Sequence, residues 1–276
     1  MADLGRVGLV AVPREILPLR RVMQVEAEGW LGEVLLHTGW IGGRPLALAE
    51  VLPGPVHAAL GAQALVIRHQ VDSLISFGSA GALAAGLSPG DLVVGRRAMA
   101  HDAGSFLGQR FEPAGVMGRD RHGRIGYRRA FEADPELVKL ALEAAQTLGA
   151  GAQVGTIVTG NQVIFATARK RWLRHTFHAL AVEMETAAVA QVAVAHRLPW
   201  VAVRAISDTA DDDFTLDYRR LRFHLDDERP MWWCRVGCWI YLATHPGAWR
   251  RLRRLSRGLA LASEQAARLV EAIVRA

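Results

Sequence analysis

The sequence predicts an α/β domain whose sheet is covered by helices on both faces. Two observations carry this. Short apolar runs with the composition of buried strands recur along the chain, at residues 6–12, 71–78 and 200–207. Stretches rich in Ala and Leu at helical spacing separate them. Such alternation builds a largely parallel sheet between two helical layers. With 51% of its 276 residues hydrophobic, the chain can bury a sizeable core.

Each element follows from local chemistry. Residues 6–12 (RVGLVAV) read as a strand, and Pro13 opens a helix that carries Glu15, Ile16, Leu17 and Leu19. Runs at 33–38 and 45–50 read as a hairpin joined through Gly42-Gly43. Pro53-Gly54-Pro55 breaks the chain before an Ala-rich helix at 56–69. The strand at 71–78 runs into Gly78-Ser79-Ala80-Gly81, and a turn at 87–91 leads to a strand at 92–95. Residues 102–130 show no period and read as one long loop. Asp134 caps a helix at 135–148. A strand at 153–158 closes on Thr159-Gly160-Asn161, and 165–178 is helical. Glu183, Met184 and Glu185 open an Ala/Val-rich helical segment, and the strand at 200–207 ends at Asp208.

No linker interrupts residues 1–227, which read as one domain. Residues 228–276 read as an aromatic and basic helical extension. Residues 231–241 are apolar and aromatic, His245-Pro246-Gly247 breaks the run, and from Trp249 apolar positions recur at amphipathic-helix spacing.

Composition excludes several classes. Lys plus Arg number 33 against 27 Asp plus Glu, and the one dense basic cluster is Arg250, Arg251, Arg253, Arg254 and Arg257. No basic stripe is interleaved with aromatics, so a nucleic-acid partner is not expected. Cys234 and Cys238 lack the further ligands of a zinc site. No metal and no cofactor are expected. No signal-peptide pattern and no apolar run of about 18 residues occurs, so the expected location is the cytoplasm.

Two acids stand out. Asp208 ends an apolar strand, at the edge where open α/β sheets bind ligands. Glu185 sits in an Ala/Val-rich run. Three turns would lie at the same edge of a parallel sheet: Gly78-Ser79-Ala80-Gly81, Thr159-Gly160-Asn161 and Ser207-Asp208. None fits a phosphate loop or dinucleotide fingerprint. Taken alone, Asp208 also reads as a helix N-cap and Glu185 as a structural partner of Arg204.

Taken in order, six stretches resemble the 5′-methylthioadenosine/S-adenosylhomocysteine nucleosidases of the nucleoside phosphorylase superfamily. They are Phe77–Gly81, Gly90–Val94, His101-Asp102, Val158–Asn161, Val182–Ala188 and Val203–Asp211. The resemblance spans roughly residues 6–225. It implies a three-layer phosphorylase/hydrolase-like fold, with a mixed, barrel-like central sheet flanked by helices, and a homodimer.

It also implies roles. Asp208 is the general acid that protonates N7 of the purine, because adenine leaves poorly as an anion. Glu185 grips the ribose hydroxyls and faces the oxocarbenium-like sugar. Glu15 activates the attacking water, and Arg204 holds Glu185 or that water. Met184 lies under the sugar, Ser79 and Gly81 line its side, and Glu183 belongs to the same binding set. Ser207 and the backbone of Ile164 hold the base, with Val163 beside it and Tyr218 as an aromatic against it.

The reaction implied is hydrolysis of adenine nucleosides such as 5′-methylthioadenosine or S-adenosylhomocysteine. Two alternatives stay open. A phosphorylase would use Arg14 and Ser79 for phosphate. The Arg-rich tail is similar to that of hopanoid-associated members, which implies an adenosylhopanoid substrate and peripheral contact of the tail helix with the inner membrane face; the same helix also reads as packing on its own domain or on a dimer partner.

Overall fold

The computed structural model describes residues 5–119, 122–214 and 242–276. Its framework is one ten-stranded mixed sheet. Strands β1 (Val7–Ala11), β4 (Arg44–Glu50) and β5 (Ser73–Ala82) run parallel, with β1 in the middle. Strands β3 (Val34–Ile41) and β2 (Gln24–Leu31) continue from β4 as an antiparallel meander.

The other side of β5 closes into a ring. β14 (Trp200–Asp208) pairs with β5 and also with β6 (Leu92–Ala100). β6 pairs with β12 (Ala152–Thr159), β12 with β13 (Ala181–Glu183), and β13 returns to β5. A sheet that mixes directions and curls on itself is the predicted barrel-like centre. The two-residue strand β11 (Phe131–Glu132) borders β6.

Helices cover both faces. Helix α2 (Pro55–His69) and helix α5 (Thr186–His196) press Ala58, Ala62, Leu65, Val189 and Ala193 onto one face, beside Leu74 and Ala202. On the opposite face lie α1 (Pro13–Arg20), α3 (Pro135–Thr147) and α6 (Pro246–Arg275). They meet Leu9, Ile75, Phe77 and Val203 there. Helix α3 starts where Asp134 accepts the N–H groups of Glu136 and Leu137, both at 3.0 Å. Helix α4 (Thr167–Phe177) buries Leu173 and Phe177 against Val158 and Val182.

Four sequence expectations change. First, residues 102–130 are not a structureless loop. They hold two hairpins, β7 (Gly104–Leu107) with β8 (Arg110–Pro113), and β9 (Val116–Arg119) with β10 (Ile125–Arg128). Both lie mostly exposed, so neither face writes an apolar alternation. Second, residues 24–31, read as no element, form the strand β2 with every residue exposed and so without an apolar alternation. Third, the segment around Glu183 begins as strand β13, not as helix. Fourth, the three turns do not share one edge of a parallel sheet. β12 runs antiparallel to β5 and β14 around the ring, and the turns meet because Val182 pairs with both Gly81 and Val158 while Asp208 pairs with Gly81.

The apolar stripe of α6 is buried in the domain's own core through Ala262, Ala266, Leu269, Val270 and Ile273. Among the described residues no helix is long and apolar enough to cross a membrane. Burial separates two substitutions on α6. Ile273→Ala is expected to lower unfolding free energy by about 2–5 kcal/mol, and the half-exposed Trp249→Ala by less than about 0.5 kcal/mol. Equilibrium urea unfolding measures both.

Candidate active site

Arg204 is the structural centre of the site. It sits midway along β14, fully buried. Its Nη2 donates to Ser76 Oγ at 2.7 Å, to Thr186 Oγ1 at 2.9 Å and to the carboxylate of Glu183. A buried guanidinium needs such partners to offset its desolvation. Glu183 ends β13 and also caps α5: its Oε2 accepts the N–H groups of Glu185 and Thr186, both at 2.9 Å. Its Oε1 accepts the Thr159 hydroxyl. Both oxygens of Glu183 are thus engaged by protein, so its place in the predicted binding set is that of a support. Arg204 pairs closely with Glu183, while Glu185 Oε2 stands farther off, at 3.8 Å.

Glu185 is the N-cap residue of α5. Its Oε1 accepts the N–H of Gly54 at 3.1 Å, so the Pro53-Gly54-Pro55 break belongs to the site. Glu15 enters from the first turn of α1. Its Oε1 accepts both the N–H of Ser79 at 2.7 Å and its hydroxyl at 2.5 Å. Gly78 makes this approach possible. A Cβ there would stand 2.0 Å from Glu15 Oε2 and 2.7 Å from Arg204 Nη1. Those two polar atoms are buried and have no hydrogen-bond partner among the described residues.

Asp208 lies at the end of β14. Its Oδ1 accepts the Ser207 hydroxyl at 2.5 Å and its Oδ2 accepts from Lys170 Nζ on α4 at 2.6 Å. Ser207 also donates to the carbonyl of Ala80 at 3.2 Å. Helix α6 crosses directly above: a Cβ on Gly258 would come within 2.0 Å of the Ser207 carbonyl oxygen, so only glycine allows the contact.

These groups surround one cavity of about 420 Å³. Glu15, Ser79, Gly81, Val163, Ile164, Glu183, Met184, Glu185, Ser207 and Asp208 all line it, and Arg204 lies beneath them. Val163 stands at the mouth, 60% exposed. Tyr218 falls outside the described residues. The sequence reading missed Pro53, Phe165 and the α6 residues Leu255, Leu259 and Ser263 in the wall. It also missed Lys170. The basic run Arg169-Lys170-Arg171 looks like a solvated helix face, and only the fold turns its middle residue inward.

Three carboxylates share one guanidinium here, and the electrostatics reflect it. Burial, then the neighbouring Glu183, pushes Glu185 up to about 8, against the opposing pull of Arg204. Burial also raises Glu15, opposed by Arg204 and by the hydrogen bonds from Ser79. Because Glu185 holds its proton more tightly folded than unfolded, its contribution is most favourable below about pH 4.5. It is lost as pH rises to about 8. Glu185→Gln removes the titration, so the fall in melting temperature between pH 4.5 and 8 is expected to be smaller than in the wild type. Melting curves across that range measure it, and equal slopes would contradict the burial of a titrating carboxyl.

Comparison with known proteins agrees with this architecture. The chain is similar to the 5′-methylthioadenosine/S-adenosylhomocysteine nucleosidase from Neisseria meningitidis in complex with methylthio-immucillin-A. They share 26% identity and a TM-score of 0.74 over 99% of each chain. The corresponding enzyme from S. pneumoniae, with a transition-state inhibitor, has 25% identity and a TM-score of 0.72 over 98% of this chain and 99% of that one. Futalosine hydrolase of Helicobacter pylori shares the fold, with 23% identity and a TM-score of 0.75 over 98% and 97% of the two chains. The phosphorylase superfamily model matches residues 7–226, and the chain belongs to that superfamily.

Proposed function

We propose that this protein is a purine nucleoside N-ribosyl hydrolase that releases adenine from nucleosides like 5′-methylthioadenosine and S-adenosylhomocysteine. The observation that carries hydrolysis over phosphorolysis is the seat of Glu15. Its carboxyl takes both the N–H and the hydroxyl of Ser79. A phosphate would need those donors and would meet an acid in their place. Arg14, the other candidate phosphate ligand, reaches Ser256 on α6 instead, at 3.2 Å to its hydroxyl and 3.3 Å to its carbonyl.

In this reading the C1′–N9 bond breaks and its electron pair passes to the purine. Asp208 gives its proton to N7 as this happens. The sugar becomes positively charged beside Glu185, which binds its 2′ and 3′ hydroxyls over Met184. Water adds to C1′ and yields a proton to Glu15. Glu15 Oε2 and Arg204 Nη1, both buried and without a partner among the described residues, suit an acceptor and a donor for that water. Glu15 then releases its proton to solvent and Asp208 takes one up from solvent, leaving neutral adenine, the free sugar and the enzyme as it began. Ser207 fixes Asp208 through the 2.5 Å hydrogen bond, and Ile164, Val163 and Phe165 form the wall against which the base lies.

The finer points of this reading have different support. The apolar stripe of α6 is buried within the domain, which leaves the exposed Arg250 and Arg253 rather than that stripe for any peripheral membrane contact. An adenosylhopanoid substrate would need the pocket mouth to accept a much larger 5′ group. A homodimer is the expected assembly, and the exposed Phe106, Leu107, Met117, Ile125 and Tyr127 offer it an apolar surface.

The decisive assay is adenine release from 5′-methylthioadenosine in phosphate-free buffer. Wild type is expected to turn over, and Asp208→Asn to lose about 10²–10⁴-fold in kcat/KM. Glu15→Gln is expected to fall by a similar order. Turnover that requires phosphate and yields 5-methylthioribose 1-phosphate would overturn the proposal.

A further inference from the structure

Lysine occurs at two positions in this Arg-rich sequence, Lys139 and Lys170. Lys139 lies exposed on α3, with its side chain 67% accessible. Lys170 is wholly buried on α4. Its three ammonium donors all have acceptors: Asp208 Oδ2 at 2.6 Å, the Thr209 carbonyl at 2.7 Å and the Asp212 carbonyl at 3.1 Å. Three oxygens converging on one point suit a compact ammonium and not the flat fork of arginine. This accounts for a lysine at this position in a chain that elsewhere uses arginine.

A buried ion pair is a poor way to stabilise a fold, because desolvation consumes most of its attraction. Its position gives it a second use. We propose that Lys170 is a positioning residue for Asp208. It aims the carboxyl at the base and takes up the negative charge left behind when the proton passes to N7.

The inference rests on the nucleosidase reading above. In the step concerned, the O–H bond of Asp208 breaks, an N7–H bond forms, and the electron pair of the cleaved C1′–N9 bond goes to the purine. The carboxyl becomes a carboxylate 2.6 Å from a fixed ammonium. That attraction is stronger after transfer than before, so it lowers the barrier more than it tightens substrate binding.

Other charged groups bear on the pair. Asp212 is held by Arg254 of α6 at 2.8 Å and accepts the N–H of Thr209 at 2.9 Å. Arg14, Glu15, Glu183 and Glu185 line the rest of the cavity. None of them approaches Asp208 within ion-pairing distance, whereas Lys170 does.

Two measurements test the proposal, with folding checked by circular dichroism. The first is adenine release by Lys170→Met and Lys170→Arg across pH 5–10. Lys170→Met is expected to lose about 10²-fold or more in kcat and to change KM by only a few-fold. Lys170→Arg is expected to recover part of kcat. An active wild type with a folded Lys170→Met that keeps kcat, or that loses kcat and KM alike with no recovery in Lys170→Arg, overturns the inference. A wild type that releases no base from any adenine nucleoside overturns the nucleosidase reading and this role with it.

The second measurement needs no turnover. Lysine labelled with ¹⁵N at Nζ gives two resonances, assigned with Lys139→Arg. Asp208→Asn is expected to move the Lys170 line and leave the Lys139 line in place. A Lys170 line indifferent to Asp208→Asn overturns the pairing, even where Lys170→Met fails to fold.

Discussion

The site depends on one buried guanidinium. Arg204 stands where Glu15, Glu183 and Glu185 converge, and without a cation there three acids could not share a place withdrawn from water. Its consequences run outward through the backbone. Glu183, fixed by Arg204, caps α5 and so sets the position of Glu185. Ser76 and Ser79 on β5 hold Arg204 and Glu15 respectively, so the spacing along one strand helps fix the distance between guanidinium and carboxyl. The ring closure β5–β14–β6–β12–β13 is what brings these strands together.

The cavity has two electrical poles. On one side acids outnumber cations, and burial keeps Glu185 and Glu15 from giving up their protons easily. On the other side a single acid, Asp208, faces a single ammonium. The two sides therefore differ in kind: one offers closely held carboxyls around a guanidinium, the other a carboxyl against an ammonium.

Much of this could be read in advance, for reasons that are physical. β14 is buried on both faces, so its apolar run ending in an acid was visible. Asp134 caps α3 by a local rule that needs no tertiary information. Other features carry no local mark. β13 is three residues long, too short to show a period. The hairpins between 104 and 128 and the edge strand β2 are exposed, so no burial pattern records them. Lys170 sits between two arginines and looks like surface. The amphipathic stripe of α6 was plain, but what it covers is decided by the fold. The face read as available to a membrane is the one that closes the core, and Leu255 and Leu259 complete the cavity wall.

The contact of Gly258 with the Ser207 carbonyl has a consequence for how the protein is made. Helix α6 follows every other described element along the chain, yet it forms one wall of the cavity and rests on the residue beside Asp208. A nascent chain emerging from the ribosome can close the strand ring first, but its pocket stays open along that wall until α6 has followed. The cavity therefore gains its last wall only once residues 255–263 are in place.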